Sequence, residues 1–296
     1  MKQAGIIGYP VSHSLSPQMH QAAFDSLGIE AHYALWETQP VMLAERIASL
    51  RSSQVLGANV TIPFKEDVVP FVDECDPRAM RIGAINTVVN QNGRLVGYNT
   101  DAPGFIQALA GFVSPPFDAQ GKRAAILGTG GAARAAAVAL LENGIDELAL
   151  LGRTESHVTA LVHHLQTLLI EAQGIFSSKI PRINRFLLGS TEANTFLSNA
   201  DVVVNATPVG LKAGDTTLLF DINVLPTKAL VMDMIFNPPL TPFLRVAQAR
   251  GCRVLNGLSM LLYQGALSFE LWTGHPAPIE IMRAALGLEK GEAYYV

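Results

Sequence analysis

Six residues, Gly128-Thr129-Gly130-Gly131-Ala132-Ala133, lie between a short apolar run and an alanine-rich one, and their types suit the holding of a pyrophosphate. Glycine at 128 permits a tight turn, Gly130 lets the backbone approach the phosphates, and small Ala133 allows a helix to pack close on a strand. The N-terminus of that helix then faces the negative charge. Such a glycine turn is common by itself. Between a strand at Arg123–Leu127 and a helix over Ala135–Asn143 stopped by Gly144, it reads as a dinucleotide site. The second strand of such a unit ends Leu150-Leu151-Gly152-Arg153-Thr154, with no carboxylate at its tip. An acidic residue there would bind the ribose 2′-hydroxyl of NAD. Arg153 is instead placed to grip a 2′-phosphate bidentately, helped by the Thr154 hydroxyl, which predicts NADP as the cofactor. The plain alternative is an ordinary surface arginine in a turn, with Glu155 close by.

Regular elements have to hold these residues, and the middle of the chain supplies them. Glu147–Leu151 reads as a strand, Ser156–Ala172 as a helix, and Gln173–Arg185, with Ser177, Ser178 and Pro181, as an irregular loop. Ala200–Ala206 is a buried strand ending in Thr207-Pro208, and Leu230–Met234 is another, closed by Asn237-Pro238-Pro239. Cys252–Leu255 makes the last strand. Strands alternating with helices imply right-handed crossovers and a parallel, Rossmann-type sheet.

The first hundred residues form a second α/β unit. Strands are expected at Gly5–Gly8, His32–Thr38 and Ala58–Ile62, and a helix capped by Ser16, with Pro17 at its first position and Gly28 closing it after Leu27. Ala84–Asn90 and Arg94–Tyr98 flank Gln91-Asn92-Gly93, a hairpin signal. Helices over Met260–Trp272 and Ile279–Leu286 follow the last Rossmann strand and are expected to return to the first domain. The fold class is therefore α/β with two domains, residues 1–103 plus 257–296 and residues 104–256, and the cleft between them is the expected active site.

Bulk properties exclude several classes. The chain has 296 residues, 49% of them apolar and 16% charged, as in a folded protein with an ample core. A net charge of −4 with scattered lysines and arginines argues against nucleic acid and acidic membranes as partners. Two cysteines, Cys75 and Cys252, are too few for a disulfide scaffold. Met1-Lys2-Gln3-Ala4 runs straight into a strand, without the pattern of a signal peptide, and no apolar run reaches the ~20 residues that span a bilayer. A cytoplasmic protein is expected, monomeric or homodimeric. No metal is expected either, because the seven histidines show no ligand spacing and adjacent His163 and His164 point to different helix faces.

Several separated motifs point one way. Ser12-His13-Ser14-Leu15-Ser16-Pro17, Asn59-Val60-Thr61-Ile62-Pro63-Phe64-Lys65, Gly83-Ala84-Ile85-Asn86-Thr87 and Asn99-Thr100-Asp101 precede the glycine turn. Asn205-Ala206-Thr207-Pro208, Asn237-Pro238 and Tyr263-Gln264-Gly265 follow it. In this order, over essentially the whole chain, they resemble the shikimate dehydrogenase family. The resemblance implies NADPH-dependent reduction of 3-dehydroshikimate to shikimate, a step of aromatic amino acid biosynthesis, with the first domain as substrate domain.

The resemblance further implies a catalytic pair, Lys65 and Asp101. Hydride addition to a ketone creates an alkoxide that must receive a proton, and an ammonium at the carbonyl can stabilise that charge or deliver the proton. A neighbouring carboxylate raises a lysine pKa while burial lowers it, so proton donor and fixed charge stay open as roles for Lys65. Without the resemblance, Lys65 would be a solvated lysine and Asp101 a cap on a helix beginning near Pro103. Ser14 and Ser16, at the mouth of a helix N-terminus, fit a carboxylate anchor, with His13 beside them. Asn59 and Thr61 share a strand face and could serve a polyhydroxylated ligand together with Asn86. In the family pattern Gln264 adds a hydrogen bond from the returning helix; the plain alternative places it on an exposed face. Cofactor contacts are implied at Gly128, Thr129, Gly130, Gly131, Ala132, Arg153, Thr154 and Thr207, with Met234 and Gly257 lining the nicotinamide.

Two positions depart from the family pattern. Phe236 stands where tyrosine often precedes Asn-Pro, which removes a hydroxyl that could touch substrate. Gly152 replaces the asparagine of an Asn-Arg-Thr motif, which removes one adenosine contact but leaves Arg153. Competing readings are a quinate or dual-specificity quinate/shikimate dehydrogenase, an aminoshikimate enzyme, a non-catalytic shikimate-binding sensor, and a generic NADP-binding regulatory domain. Quinate carries an extra hydroxyl on the carbon bearing the carboxylate, and an anchor of two serines favours the smaller shikimate. Loss of the lysine or aspartate would favour a sensor, and both are present.

Overall fold

Strand-forming runs rich in Ile, Val and Ala alternate with helical ones through most of the chain, and each run builds one layer of an α/β unit. A computed structural model describes residues 1–111, 115–171, 180–212 and 214–288. The chain forms two compact units, Met1–Gly104 with the segment from Leu261, and Phe105–Met260.

The first unit contains β1 (Lys2–Gly8), α1 (Ser16–Ser26), β2 (Ala31–Glu37), α2 (Leu43–Ser49), β3 (Val55–Val60), β4 (Glu74–Cys75), α3 (Pro77–Ile82), β5 (Thr87–Gln91), β6 (Arg94–Tyr98) and the start of α4 (Asp101–Gly111). Its mixed sheet has the order β2-β1-β3-β5-β6-β4. β1 runs parallel to β2 and β3, whereas β5 is antiparallel to both β3 and β6. The β5–β6 hairpin turns at Asn92 and Gly93 with φ of 55° and 93°, a two-residue turn in which both central residues have positive φ. One face is filled by Ile7, Ile47, Phe64, Val68, Val88 and Leu95.

The second unit contains β7 (Arg123–Leu127), α5 (Gly131–Glu142), β8 (Glu147–Gly152), α6 (Glu155–Glu171), β9 (Arg182–Leu187), α7 (Thr191–Leu197), β10 (Val202–Asn205), β11 (Leu230–Asp233), α8 (Pro242–Ala249) and β12 (Arg253–Leu255). Its order, β12-β11-β10-β7-β8-β9, is parallel throughout and is the doubly wound Rossmann order. Leu127, Leu151, Val203 and Val231 make one core face against Leu197, Phe243 and Leu244. α9 (Leu258–Thr273) and α10 (Ile279–Ala285) complete the chain, and from Leu261 onward they belong to the first unit. There Trp272 Nε1 donates to the Val88 carbonyl at 3.0 Å, and Phe269 packs on Phe24 with ring centroids 5.2 Å apart. The α/β fold class and the return of the C-terminal helices are thus as expected.

Three local expectations change. Ser16 is not the cap of α1: Leu15 holds the N-cap position without a side-chain bond, and the Ser14 hydroxyl accepts the Ser16 N–H at 3.2 Å. Arg182–Leu187, part of the expected loop, is edge strand β9. Alternation of half-buried and exposed residues along one edge gives it a weak hydropathy signal. The rest of that loop, including Ser177 and Ser178, lies outside the described residues, as do residues 289–296 of the returning segment. α4 begins at Asp101 itself, with Asn99 Oδ1 accepting the Ala102 N–H at 3.2 Å, so Asp101 is not the cap of a helix starting near Pro103.

His20 on α1 is fully buried, stacked on the Tyr33 ring at 4.5 Å and tilted against Trp272 at 5.2 Å. Burial lowers its pKa from 6.5 to about 3, offset only in part by Asn59. The folded chain therefore binds fewer protons than the unfolded chain between these values. Stability is fully present above pH 6.5 and falls with acidification by up to about 1.4 kcal/mol per pH unit from this one group. His20→Phe, which keeps a stacked ring, is expected to flatten the acid limb between pH 6.5 and 4 in urea unfolding. An unchanged slope would rule out His20 as its source.

Candidate active site

Lys65 lies in the turn region after β3, where backbone bonds fix it. Phe64 N–H donates to the Thr61 carbonyl at 3.0 Å, and the Lys65 carbonyl accepts the Ile85 N–H at 2.7 Å. The buried Phe64 ring anchors the turn from beneath. Asp101 opens α4, where a carboxylate is favoured by the helix dipole. Lys65 Nζ donates to Asp101 Oδ2 at 2.5 Å, with side-chain exposures of 14% and 5%. The pair is thus largely shielded from solvent, with the lysine as its more open end. Shielding strengthens the pair relative to a surface ion pair.

The other Asp101 oxygen accepts Asn86 Nδ2 at 2.9 Å. Asn86 is held from both ends: its Oδ1 accepts the Thr100 N–H at 2.7 Å, and its Nδ2 also reaches Thr100 Oγ1 at 2.8 Å and Gln264 Oε1 at 3.2 Å. Gln264 is 8% exposed and donates to the Leu261 carbonyl, so it does not occupy an exposed helix face. Gly104 makes this approach possible, since a Cβ there would stand 2.8 Å from the Gln264 nitrogen. Lys65, Asp101, Asn86 and Gln264, brought from four separate stretches of sequence, form one polar cluster in the first unit.

Asn59 faces inward. Its Oδ1 accepts the Tyr33 hydroxyl at 2.7 Å, and its Nδ2 donates to Ser268 Oγ at 3.0 Å, with Thr87 Oγ1 and the Asn86 carbonyl each at 3.3 Å. At 4% exposure it is buried beneath the cluster, and its Oδ1 can accept a second bond. Thr61 is half-buried, and Thr61 N–H donates to the Ile7 carbonyl at 2.8 Å. Ser14 is half-buried and Ser16 buried. Burial holds the Tyr33 phenol well above its ordinary pKa, and Ser16 pulls it down by less.

Sequence reasoning did not single out Tyr33, Thr87, Thr100 or Ser268 as members of this network. Ser268 Oγ lies 2.8 Å from Thr87 Oγ1 and 3.1 Å from Thr100 Oγ1. The signal for Ser268 was its place one helical turn after Gln264, and Thr87 and Thr100 stand inside quoted motifs. Tyr33 carried no signal beyond being a large polar aromatic in a strand.

In the second unit the glycine turn joins β7 to α5. Gly128 has φ +114°, and a Cβ there would crowd the Ala206 carbonyl at 3.0 Å and Thr207 Cγ2 at 3.2 Å. Gly130 is the extended N-cap of α5, with no side-chain cap bond and no acidic residue in the first turn. The first-turn N–H groups beside Gly131 and Ala132 are therefore suited to an anion, and the residues fit a dinucleotide. Thr129 is half-buried beside the turn, and Ala133 is fully buried beneath it. Arg153 and Thr154 are exposed at the end of β8. Gly152 has a packing reason of its own: a Cβ there would stand 2.6 Å from Val158 Cγ2, so Val158 fills the space an asparagine would need.

Thr207 directs its hydroxyl to Asn205 Oδ1 at 2.7 Å. Met234 follows β11, and Gly257 lies so near it that an added Cβ would be 2.1 Å from the Met234 carbonyl oxygen. Phe236 is half-buried. Among the described residues no helix is long and apolar enough to cross a membrane.

Known proteins share this arrangement. Family models described as "Shikimate dehydrogenase substrate binding domain" and "Shikimate 5'-dehydrogenase C-terminal domain" match residues 6–88 and 257–286. The chain is 42% identical to shikimate dehydrogenase (NADP(+)) of Desulforamulus reducens, over 95% of this chain and 93% of that protein. It is also 42% identical to the Moorella thermoacetica protein of the same name, over 97% and 94%. The crystal structure of shikimate 5-dehydrogenase from Thermus thermophilus, in complex with NADP(H) and shikimate, superposes with a TM-score of 0.82 at 36% identity, covering 97% of this chain and 99% of that one. Quinate dehydrogenase from Corynebacterium glutamicum, in complex with NAD, superposes at 0.83 with 27% identity, covering 96% and 98%. With the paired lysine and aspartate, the Rossmann unit and this identity over nearly the full length, the chain belongs to the shikimate dehydrogenase family.

Proposed function

We propose that this protein catalyses the reversible NADPH-dependent reduction of 3-dehydroshikimate to shikimate. The observation that carries the reading is the largely shielded Lys65–Asp101 pair at 2.5 Å, held by Asn86, which Gln264 braces in turn. NADPH, when bound, supplies the hydride. Lys65 places its ammonium where the ketone oxygen gains negative charge, stabilises that charge and passes a proton to it. Asp101 keeps Lys65 aimed, and hydrogen-bonds a substrate hydroxyl. Ser14 and Ser16, at the start of α1, take the substrate carboxylate, while Asn59, Thr61, Asn86 and Gln264 serve its hydroxyls. In the second unit the turn from Gly128 to Ala132 holds the pyrophosphate, Arg153 and Thr154 the 2′-phosphate, and the loops bearing Thr207, Met234 and Gly257 the nicotinamide side.

Consumption of NADPH on adding 3-dehydroshikimate tests the reading directly. Turnover is expected, and binding without turnover would make the protein a sensor. Cofactor choice rests on Arg153. Its replacement by alanine is expected to raise KM for NADP⁺ by about 10–100-fold, the loss of a charge-assisted hydrogen bond or two, with KM for NAD⁺ nearly unchanged. Equal losses with both cofactors would show that Arg153 does not read the 2′-phosphate.

A further inference from the structure

Asp233, the last residue of β11, is completely buried, and its three recorded partners are all neutral. Its Oδ1 accepts Asn205 Nδ2 at 3.0 Å and the Ile235 N–H at 3.1 Å, and its Oδ2 accepts the Thr241 hydroxyl at 2.7 Å. Burial pushes the carboxyl up to about 6, against the opposing pull of these three bonds. Among the described residues no cation bonds it, a buried unpaired acid is costly, and the mechanism above gives it no task.

The hydrogen bonds show what it does. A carboxamide can point either end at a neighbour, but a carboxylate only accepts. Asp233 therefore draws the Nδ2 end of Asn205, which also donates to the Val209 carbonyl at 3.2 Å, and Asn205 Oδ1 is left facing the other way. There it accepts both the N–H and the hydroxyl of Thr207, at 3.0 and 2.7 Å. The Thr207 hydroxyl, its proton committed, accepts the Val209 N–H at 3.2 Å. On its other side Asp233 ties down the segment that carries Met234, through Ile235 and through Thr241, the side-chain cap of α8. Met234 in turn abuts Gly257, whose N–H donates to the Ile235 carbonyl at 3.1 Å. One carboxyl thus links the loops at the carboxyl ends of three adjacent strands, the place where doubly wound sheets bind ligands.

We propose that Asp233 is a positioning residue for the dinucleotide site: without touching the cofactor, it anchors the Asn205 carboxamide in the direction that the Val209 carbonyl and the Thr207 N–H also favour, and so steadies the loop bearing Thr207. The proposal deepens, and rests on, the reading of the second unit as the NADP-binding one. Asparagine at 233 keeps the oxygen that faces Asn205 and Ile235 and turns its amide to Thr241, whose hydroxyl can rotate to accept. Alanine keeps nothing.

The test compares Asp233→Ala, Asp233→Asn, Asn205→Ala and the Asp233→Ala/Asn205→Ala double variant by NADP⁺ and shikimate titration calorimetry. Amide hydrogen exchange at Thr207 and Val209 is followed in the cofactor-free chain. Asp233→Ala is expected to weaken NADP⁺ binding at least tenfold and to speed exchange at both amides, with shikimate affinity unchanged. Asp233→Asn should stay within threefold of the parent in both readouts. The double variant should be no weaker than Asp233→Ala alone, because both residues act along one path. Parental NADP⁺ affinity and exchange in Asp233→Ala, losses equal in the Asn and Ala variants, or additive losses would each overturn the proposal. Should Asp233→Ala fail to fold, Asp233→Asn decides: parental NADP⁺ affinity and amide exchange are expected, and weaker binding or faster exchange would overturn the proposal. If the parent protein binds no NADP⁺, the functional reading fails, while the exchange rates still decide whether Asp233 orders the loop.

Discussion

Replacing Lys65 by alanine is expected to lower kcat by about a thousandfold or more while leaving the NADP⁺ dissociation constant within twofold. The size follows from what the side chain supplies. General acid catalysis contributes about 10²–10⁴-fold, and a preorganised charge at a developing oxyanion about 10²–10³-fold, so one residue serving both ends stands near the upper limit. The selectivity follows from the fold. Lys65 belongs to the first unit, whereas the glycine turn, Arg153 and Thr207 belong to the second. Asp101 keeps its bond from Asn86 in the variant, so the polar cluster is not dismantled. Stopped-flow turnover together with cofactor titration checks both halves. A large loss of NADP⁺ affinity would contradict the division of labour, and retained turnover would remove Lys65 from the chemistry.

Gly257→Ala is expected to be the most damaging single-methyl change at the candidate cofactor site. The added carbon would lie 2.1 Å from the Met234 carbonyl oxygen and 2.6 Å from its carbonyl carbon, both backbone atoms that no rotamer change can move. Overpacking of this kind costs about 1–3 kcal/mol, occasionally more, and a contact with backbone belongs at the upper end. For a unit of this size each kcal/mol lowers the unfolding midpoint by about 2–4 °C, so a fall of roughly 6–12 °C is expected. Because relief requires Met234 to move, NADP⁺ affinity should fall as well. Thermal unfolding with and without NADP⁺ checks this. Parental stability together with parental affinity would mean that the β11 and β12 loops are not held in close register.

Much of this was legible in the sequence because it rests on short-range rules. The β7–turn–α5 unit follows from an apolar run, glycines at fixed offsets and an alanine-rich helix. The β5–β6 hairpin follows from Asn92-Gly93, where positive φ is inexpensive. The chemistry of Lys65 and Asp101 was legible only through resemblance, since the two are 36 positions apart and no periodicity links them. Long-range hydrogen bonding stayed hidden. Ser268 meets Thr87 and Thr100 across more than 160 positions, and Asp233 meets Asn205 across two strands. Only the structure shows that the Asn59 carboxamide bonds Tyr33 and Ser268. The capping error at Ser16 has a local cause: two serines two residues apart both suit an N-cap, and the bond is made by Ser14.

The central claim is that this chain oxidises and re-forms shikimate with NADP through Lys65 and Asp101. The most direct measurement is the initial rate of nicotinamide absorbance change with shikimate and with quinate, each against NADP⁺ and NAD⁺, for the parent protein and Lys65→Ala. Rapid oxidation of shikimate with NADP⁺, far above the other three pairings and abolished in the variant, is the predicted result. Comparable rates with quinate or NAD⁺ would contradict the assigned specificity and the role of Arg153. No rate in any pairing would contradict the catalytic reading itself.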